Sequence, residues 1–238
     1  MLVSSFPTTM YPTEDEKTII EAAEKLMADT MARYDPSHDA YHVQRVRKTA
    51  LVIAHALPVL PDLLVVELGA LLHDVLDKKY VSAELAADPY TFFLPFFETH
   101  KTKIDLISDG RARLITQVVD NVSWRTEKKR RQTGEWAQWH EECAELHCVQ
   151  DADRLDAIGA FGVMRCAAYN ASINNPIHTP PHDPALGDSA IQHFYDKLIH
   201  IQERLKTEPG KLMGQKRHKF LLGFLASIED EYACSLSR

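Results

Sequence analysis

The chain of 238 residues has only four cysteines, Cys143, Cys148, Cys166 and Cys234, and no two form a CxxC pair. That excludes a disulfide framework as the organising principle and suits a reducing compartment. No stretch reaches 18 uninterrupted apolar residues, so no membrane span is expected. Met1 to Thr13 lacks a basic segment followed by an apolar run, so no secretory signal is expected either. A cytoplasmic location follows as the expectation. Alternating β-branched runs bounded by turns are scarce, and no proline occurs from Phe96 to Asn175. There is no internal repeat, low-complexity segment or linker with a shift in composition. Positive charge is in deficit, with 27 Lys+Arg against 34 Asp+Glu and a formal charge of −7. This argues against long nucleic acids and anionic membranes, and on its face against an anionic substrate.

What is present is helical. Hydrophobic residues at 45% are ordinary for a globular protein. Thr13 and Glu16 form a capping box ahead of an amphipathic segment from Glu14 to Tyr34. Asp35-Pro36 breaks it. Ser37 or Asp39 starts a second helix, ended by Pro58. Asp62 caps a third, Leu63 to about Asp77, apolar nearly all round and therefore central. Further helices are expected at about 83–87, 89–99, 103–122, 135–149, 152–170, 188–207 and 211–233. Residues 174–187, with four prolines, read as a long loop. The prediction is one all-α unit, with residues 1–36 as an N-terminal segment and first helix packing on a domain over 37–238.

Three segments place polar residues where apolar ones belong. His73 and Asp74 sit in the most apolar stretch of the chain. Buried charges must be paired, hydrogen-bonded or bound to metal. His42 lies one turn before Val46, at the edge of a buried stripe. Asp151, Asp153 and Asp156 fall within six residues, read here as the start of a helix. Capping of a positive helix end accounts for one or two of these acids, not for Asp153, which enters with Leu155 and Ile158. Imidazoles and carboxylates drawn from three helices make a divalent-metal site with open positions. Asp77, one turn after His73, falls beside that site.

Several runs together resemble one family. They are His38-Asp39-Ala40-Tyr41-His42-Val43-Gln44-Arg45-Val46, Leu71 to Lys79 (LLHDVLDKK), Gln150 to Arg165 (QDADRLDAIGAFGVMR), Gln192 to Leu198 (QHFYDKL) and Lys211 to Glu231. In this order they resemble the HD-domain metal-dependent phosphohydrolases, closest to a small single-domain branch similar to nucleotide pyrophosphohydrolases. The resemblance spans about residues 37–231. It implies an all-helical HD fold and one divalent ion (Mn²⁺, Mg²⁺ or Co²⁺) held by His42, His73, Asp74 and Asp153, with Asp151 and Asp156 competing for the last position. It implies cleavage of a nucleoside triphosphate to monophosphate and diphosphate.

Within that reading Asp77 orients or deprotonates water, and His38 donates to a phosphate or supports the metal ligands. Lys78, Lys79, Arg45, Lys197 and Arg217 are the candidates to hold phosphates, Lys197 first because it sits in a matching run. A bound cation reverses the local sign, so net acidity no longer argues against a small anionic substrate. The partner expected is a small phosphorylated substrate, a nucleotide by the resemblance, and a dimer is possible. Lys128 to Arg131 reads as a solvated loop. His140 to Cys148 is not HExxH and reads as a helix face with scattered ligand types. Trp124 suits a base-stacking or a core-edge role. Competing readings are a phosphomonoesterase or phosphodiesterase at the same site, a diiron oxidoreductase using further histidines such as His100, His140 or His147, and a catalytically silent nucleotide sensor.

Overall fold

The computed structural model describes residues 11–76, 84, 88–180, 182–183 and 186–234. Among these there are eleven α-helices and no strand. The all-α prediction therefore holds.

Helix α1 (Glu14–Met31) starts at the anticipated capping box, where the Thr13 hydroxyl accepts from Glu16 N and Glu16 reaches back to Thr13 N. It packs on α2 (Ala40–His55) and α3 (Leu63–Leu72). Asp39 caps α2 by accepting from His42 N at 2.8 Å, and Asp62 caps α3 by accepting from Leu64 N and Val65 N. All ten residues of α3 are buried, which explains its apolar character on every side. Its one acid, Glu67, accepts from Arg47 Nε at 2.7 Å and from the Tyr11 hydroxyl. Around α3 lie α1, α2, α5 (Arg111–Asn121) and α8 (Ala144–Asp156), with α4 (Pro89–His100) on the far side of α5. Helices α9 (Gly159–Ser172) and α11 (Glu208–Ala233) flank α8, and α10 (Ala190–Asp196) packs against α9.

Boundaries differ from the sequence expectation where a turn has no proline to announce it. The expected helix at 103–122 begins only at Arg111. Asp105 accepts from Ile107 N and Ser108 N, and Gly110 takes a left-handed φ of 87° before the helix starts. The expected 135–149 helix is two pieces, α7 (Gln138–Glu142) and α8, separated at Cys143, whose sulfur accepts from Leu146 N. The expected 152–170 helix breaks at Ala157-Ile158, where Gly159 has φ +77° and a Cβ on Gly162 would stand 2.4 Å from the Ala157 carbonyl oxygen. The expected 188–207 helix is α10 followed by two short 3₁₀ turns. The Lys128–Arg131 run is helical, not a loop. It belongs to α6 (Trp124–Thr133), capped by Ser123 and ended by left-handed Gly134. Of the expected 83–87 helix, only Glu84 lies among the described residues.

The largest correction concerns Asp151, Asp153 and Asp156. They occupy the last two turns of α8, not the start of a helix. Carboxylates there face the negative end of the helix dipole, so capping explains none of them. Each has to be held by a cation or by donors from elsewhere.

Candidate metal centre

Helix α2 delivers His42 from its first turn, buried to 0% exposure. The end of α3 delivers His73, its C-cap residue, and Asp74 just beyond. The last turn of α8 delivers Asp153. The contacts of α2 with α3 and α8, and of α3 with α8, bring the three sources together.

Both imidazoles are held by their Nδ1 atoms. His42 Nδ1–H donates to Asp156 Oδ2 at 2.8 Å, and His73 Nδ1–H donates to the Ala70 carbonyl at 2.8 Å. These bonds fix the tautomer that leaves each Nε2 with its lone pair. The two Nε2 atoms converge on one place. Asp74 Oδ2 lies 3.4 Å from each, and Asp153 Oδ1 lies 3.6 Å from His42 Nε2 and 3.9 Å from His73 Nε2. His42 Nε2, His73 Nε2 and Asp74 Oδ2 are buried and make no hydrogen bond. Three orphaned polar atoms in one spot carry a penalty of about 1–3 kcal/mol each unless something binds them. The ligand atoms of His42, His73 and Asp74 all lie within 4.8 Å of one another, a spacing that a single ion can span. The nitrogen and oxygen donors suit a divalent cation of intermediate or hard character. Asp153, with 30% of its side chain exposed, opens the cluster on one side.

The electrostatics are consistent with a cation-binding centre. Burial would push the Asp74 carboxyl up, but His73 and His42 hold it well below the ordinary range. Burial opposes charge on His42, yet the hydrogen bond to Asp156 and the negative charge of the facing Asp74 raise its pKa overall.

Asp151 and Asp156 are committed elsewhere. Asp151 accepts from Lys206 N at 2.9 Å, Thr207 N at 2.8 Å and the Thr207 hydroxyl at 2.7 Å, tying α8 to the start of α11. Asp156 serves His42 Nδ1, Arg45 (2.8 and 2.9 Å) and Arg165 Nη1 (3.2 Å). Of the three acids, Asp153 is the one facing both Nε2 atoms.

The other predicted residues disperse. His38 lies one ring away from His42, at 5.9 Å between centroids, and its Nδ1 meets the Ser37 hydroxyl at 2.8 Å. Arg45 reaches the cluster's edge through Asp156. Arg217 is half-buried, and its guanidinium donates to the Leu155 carbonyl. Lys197 is exposed at the end of α10, its charge acting on Cys166 and His193. Asp77, Lys78 and Lys79 lie outside the described residues.

Sequence reasoning missed three features. Asp156 accepts from His42 Nδ1, on the side of the ring away from the facing Nε2 atoms. Arg165 also donates to the Ser37 carbonyl at 2.7 Å, pinning α9 to the segment before α2. Its only signal was its place at the end of the run from Gln150. A buried ionic triad, Glu127 with Arg154 at 2.5 Å and Lys206 at 3.2 Å, joins α6, α8 and the segment before α11. Trp124 belongs to that junction, with the Arg204 guanidinium 4.2 Å over its ring. The histidines considered for a second iron are engaged elsewhere. His140 bonds Asn121, His147 bonds the His140 carbonyl and His100 bonds the Phe96 carbonyl. Burial pushes the Cys143 and Cys148 thiols up to about 12, so neither offers a thiolate near neutral pH.

No family model matches the chain. It is similar to the YpgQ protein of Bacillus subtilis, 29% identical over 197 residues, which covers 82% of this chain and 84% of that one. A crystal structure of YpgQ in complex with ADP superposes with a TM-score of 0.63 at 24% identity, over 88% and 97% of the two chains. The Lin1889 protein of Listeria innocua superposes with a TM-score of 0.68 at 28% identity, over 92% of this chain and 97% of that one. An HD-superfamily hydrolase of Bacillus thuringiensis gives 0.69 at 24% identity, over 92% and 100%. With a histidine-carboxylate cluster at the meeting of α2, α3 and α8, the chain has the HD-domain phosphohydrolase-like fold.

Proposed function

We propose that the protein is a metal-dependent phosphohydrolase that cleaves nucleoside triphosphates to monophosphate and diphosphate. The observation that carries this is the convergence of three buried, unpartnered ligand atoms, His42 Nε2, His73 Nε2 and Asp74 Oδ2, with Asp153 on the open side. His42, His73, Asp74 and Asp153 would hold one Mn²⁺, Mg²⁺ or Co²⁺ ion. When bound, such an ion supplies acidified water and polarisation of a phosphoryl oxygen.

The chain's own residues supply the rest. Asp156 keeps His42 in the tautomer that offers Nε2. Asp77 is the carboxylate assigned to orienting the attacking water, and His38 supports the cluster or donates to a phosphate. Arg45 contributes positive charge at its edge, and Lys78, Lys79, Lys197 and Arg217 are the further cations proposed to meet phosphates. The complex of YpgQ with ADP supports a nucleotide as the ligand class.

The test is turnover. Protein stripped with a chelator and reloaded with Mn²⁺, Mg²⁺ or Co²⁺ is offered nucleoside triphosphates, monophosphates and cyclic nucleotides, and products are resolved by anion exchange. Release of diphosphate is expected, falling at least about a hundredfold in His73→Ala. Release of inorganic phosphate from nucleoside monophosphates alone would move the assignment to a phosphomonoesterase. Absence of turnover with every metal would overturn it.

A further inference from the structure

Among the described residues twelve large hydrophobic residues are exposed, and three of them lie on the stretches of α2 and α9 that adjoin the cluster. Phe161 and Met164 are 54% and 69% exposed and lie one turn apart on α9. Tyr41, 75% exposed, precedes His42 on α2. Arg45 follows Tyr41 by one turn on the same side of that helix. Its guanidinium carbon stands 4.4 Å over the Phe161 ring.

Phe161 is thereby linked to the metal centre by a short chain of contacts. The ring lies against Arg45, Arg45 holds Asp156 with two hydrogen bonds, and Asp156 holds His42 Nδ1. The bidentate pair fixes the guanidinium plane, which gives one face of the ring an ordered support. Gly159 and Gly162 set the approach of this first turn of α9, where no side chain larger than hydrogen fits without displacement. Arg45 and Arg165 both converge on the single carboxylate of Asp156, which concentrates positive charge at this edge of the cluster. An aromatic surface with an arginine over one face and the histidine-carboxylate cluster beyond suits a molecule that is planar at one end and polyanionic at the other.

We propose that Phe161, backed by Arg45, is the shelf on which the base of the nucleotide stacks, with Tyr41 and Met164 bounding it. The proposal rests on the nucleotide reading above and adds to it which residue meets the base. Stacking on an aromatic ring is tolerant of base identity because every base has a π-face. Recognition here therefore favours a nucleotide over a bare polyphosphate without selecting one base sharply.

The experiment compares ATP, offered as its uncleavable α,β-methylene analogue, with inorganic tripolyphosphate, which carries a chain of three phosphates and no base. Equilibrium dissociation constants are measured by calorimetry for the full chain, Phe161→Ala and Phe161→Tyr at one Mg²⁺ concentration. The expected result is a preference of the full chain for ATP of about tenfold or more, lost in Phe161→Ala and largely kept in Phe161→Tyr. Equal preference in the full chain and Phe161→Ala would overturn the shelf. So would weakening of ATP and tripolyphosphate by the same factor. These binding ratios stand apart from turnover: a chain that prefers ATP through Phe161 yet cleaves no triphosphate would retain the shelf and defeat the phosphohydrolase reading.

Discussion

Asp156 shows how much a single residue can settle. Its position at the end of α8 is electrostatically unfavourable, yet His42, Arg45 and Arg165 hold its carboxyl well below the ordinary range against the effect of burial. The arrangement has a direction: the carboxylate accepts the hydrogen bond from Nδ1–H, so Nε2 faces the cluster with its lone pair. Asp156→Asn keeps the shape and removes the charge, leaving two arginines less well paired and the tautomer of His42 less firmly set. We expect Mn²⁺ affinity to fall about ten- to a hundredfold by calorimetry, with helical content by circular dichroism largely retained. Unchanged affinity would show that Asp156 serves only the arginines. The residue types at the cluster were legible in the sequence because His42, His73 and Asp74 are polar among apolar neighbours. The choice among Asp151, Asp153 and Asp156 was not, since it depends on which oxygens are already taken by Lys206, Thr207, Arg45 and Arg165.

At the scale of elements, capping chemistry predicted well and unmarked breaks did not. The starts of α1, α2 and α3 follow from Thr13, Asp39 and Asp62, because a short polar side chain before an apolar run announces its own hydrogen bond. The break at Cys143 has no such marker, and the break at Ala157-Ile158 depends on a close approach visible only in three dimensions. Helix α6 was hidden by its charges. Its basic run is stabilised from outside by Arg130 with Asp120 and Arg131 with Glu141, and within the helix by Arg131 with Glu127 one turn back.

Glu127 also binds α6 to Arg154 of α8 and to Lys206, while Lys206 N donates to Asp151 on α8. Burial would raise its carboxyl, but Arg154 and Lys206 hold it down to about 2 from an ordinary 4.5. A depressed acid stabilises the fold fully above the unfolded value and loses that contribution as pH falls toward the folded value. The stability gap between the full chain and Glu127→Gln, read from denaturant midpoints, should therefore be on the order of 3 kcal/mol at pH 7 and close as pH falls from about 4.5 to about 2. A gap independent of pH would contradict the ion pair.

At the scale of the molecule, the acidic balance of the chain and the proposed anionic substrate are reconciled by location. No described helix is long and apolar enough to cross a membrane. The wholly buried α3 fixes the relation of α2 and α8, and so brings the ends of three helices to one point. There the fold leaves buried ligand atoms without hydrogen-bond partners, a cost in stability that binding of the proposed cation would recover. That all-helical frame was readable from periodicity. The meeting of its helix ends was suggested by the family resemblance and by no spacing in the sequence itself.

The most direct test of this account is the position of the ion. Crystals of the full chain soaked in Mn²⁺ and measured at the manganese absorption edge should show one anomalous peak per chain, within bonding distance of His42 Nε2, His73 Nε2, Asp74 and Asp153. A peak elsewhere, or none with the two Nε2 atoms still facing Asp74, would contradict a metal centre at this site.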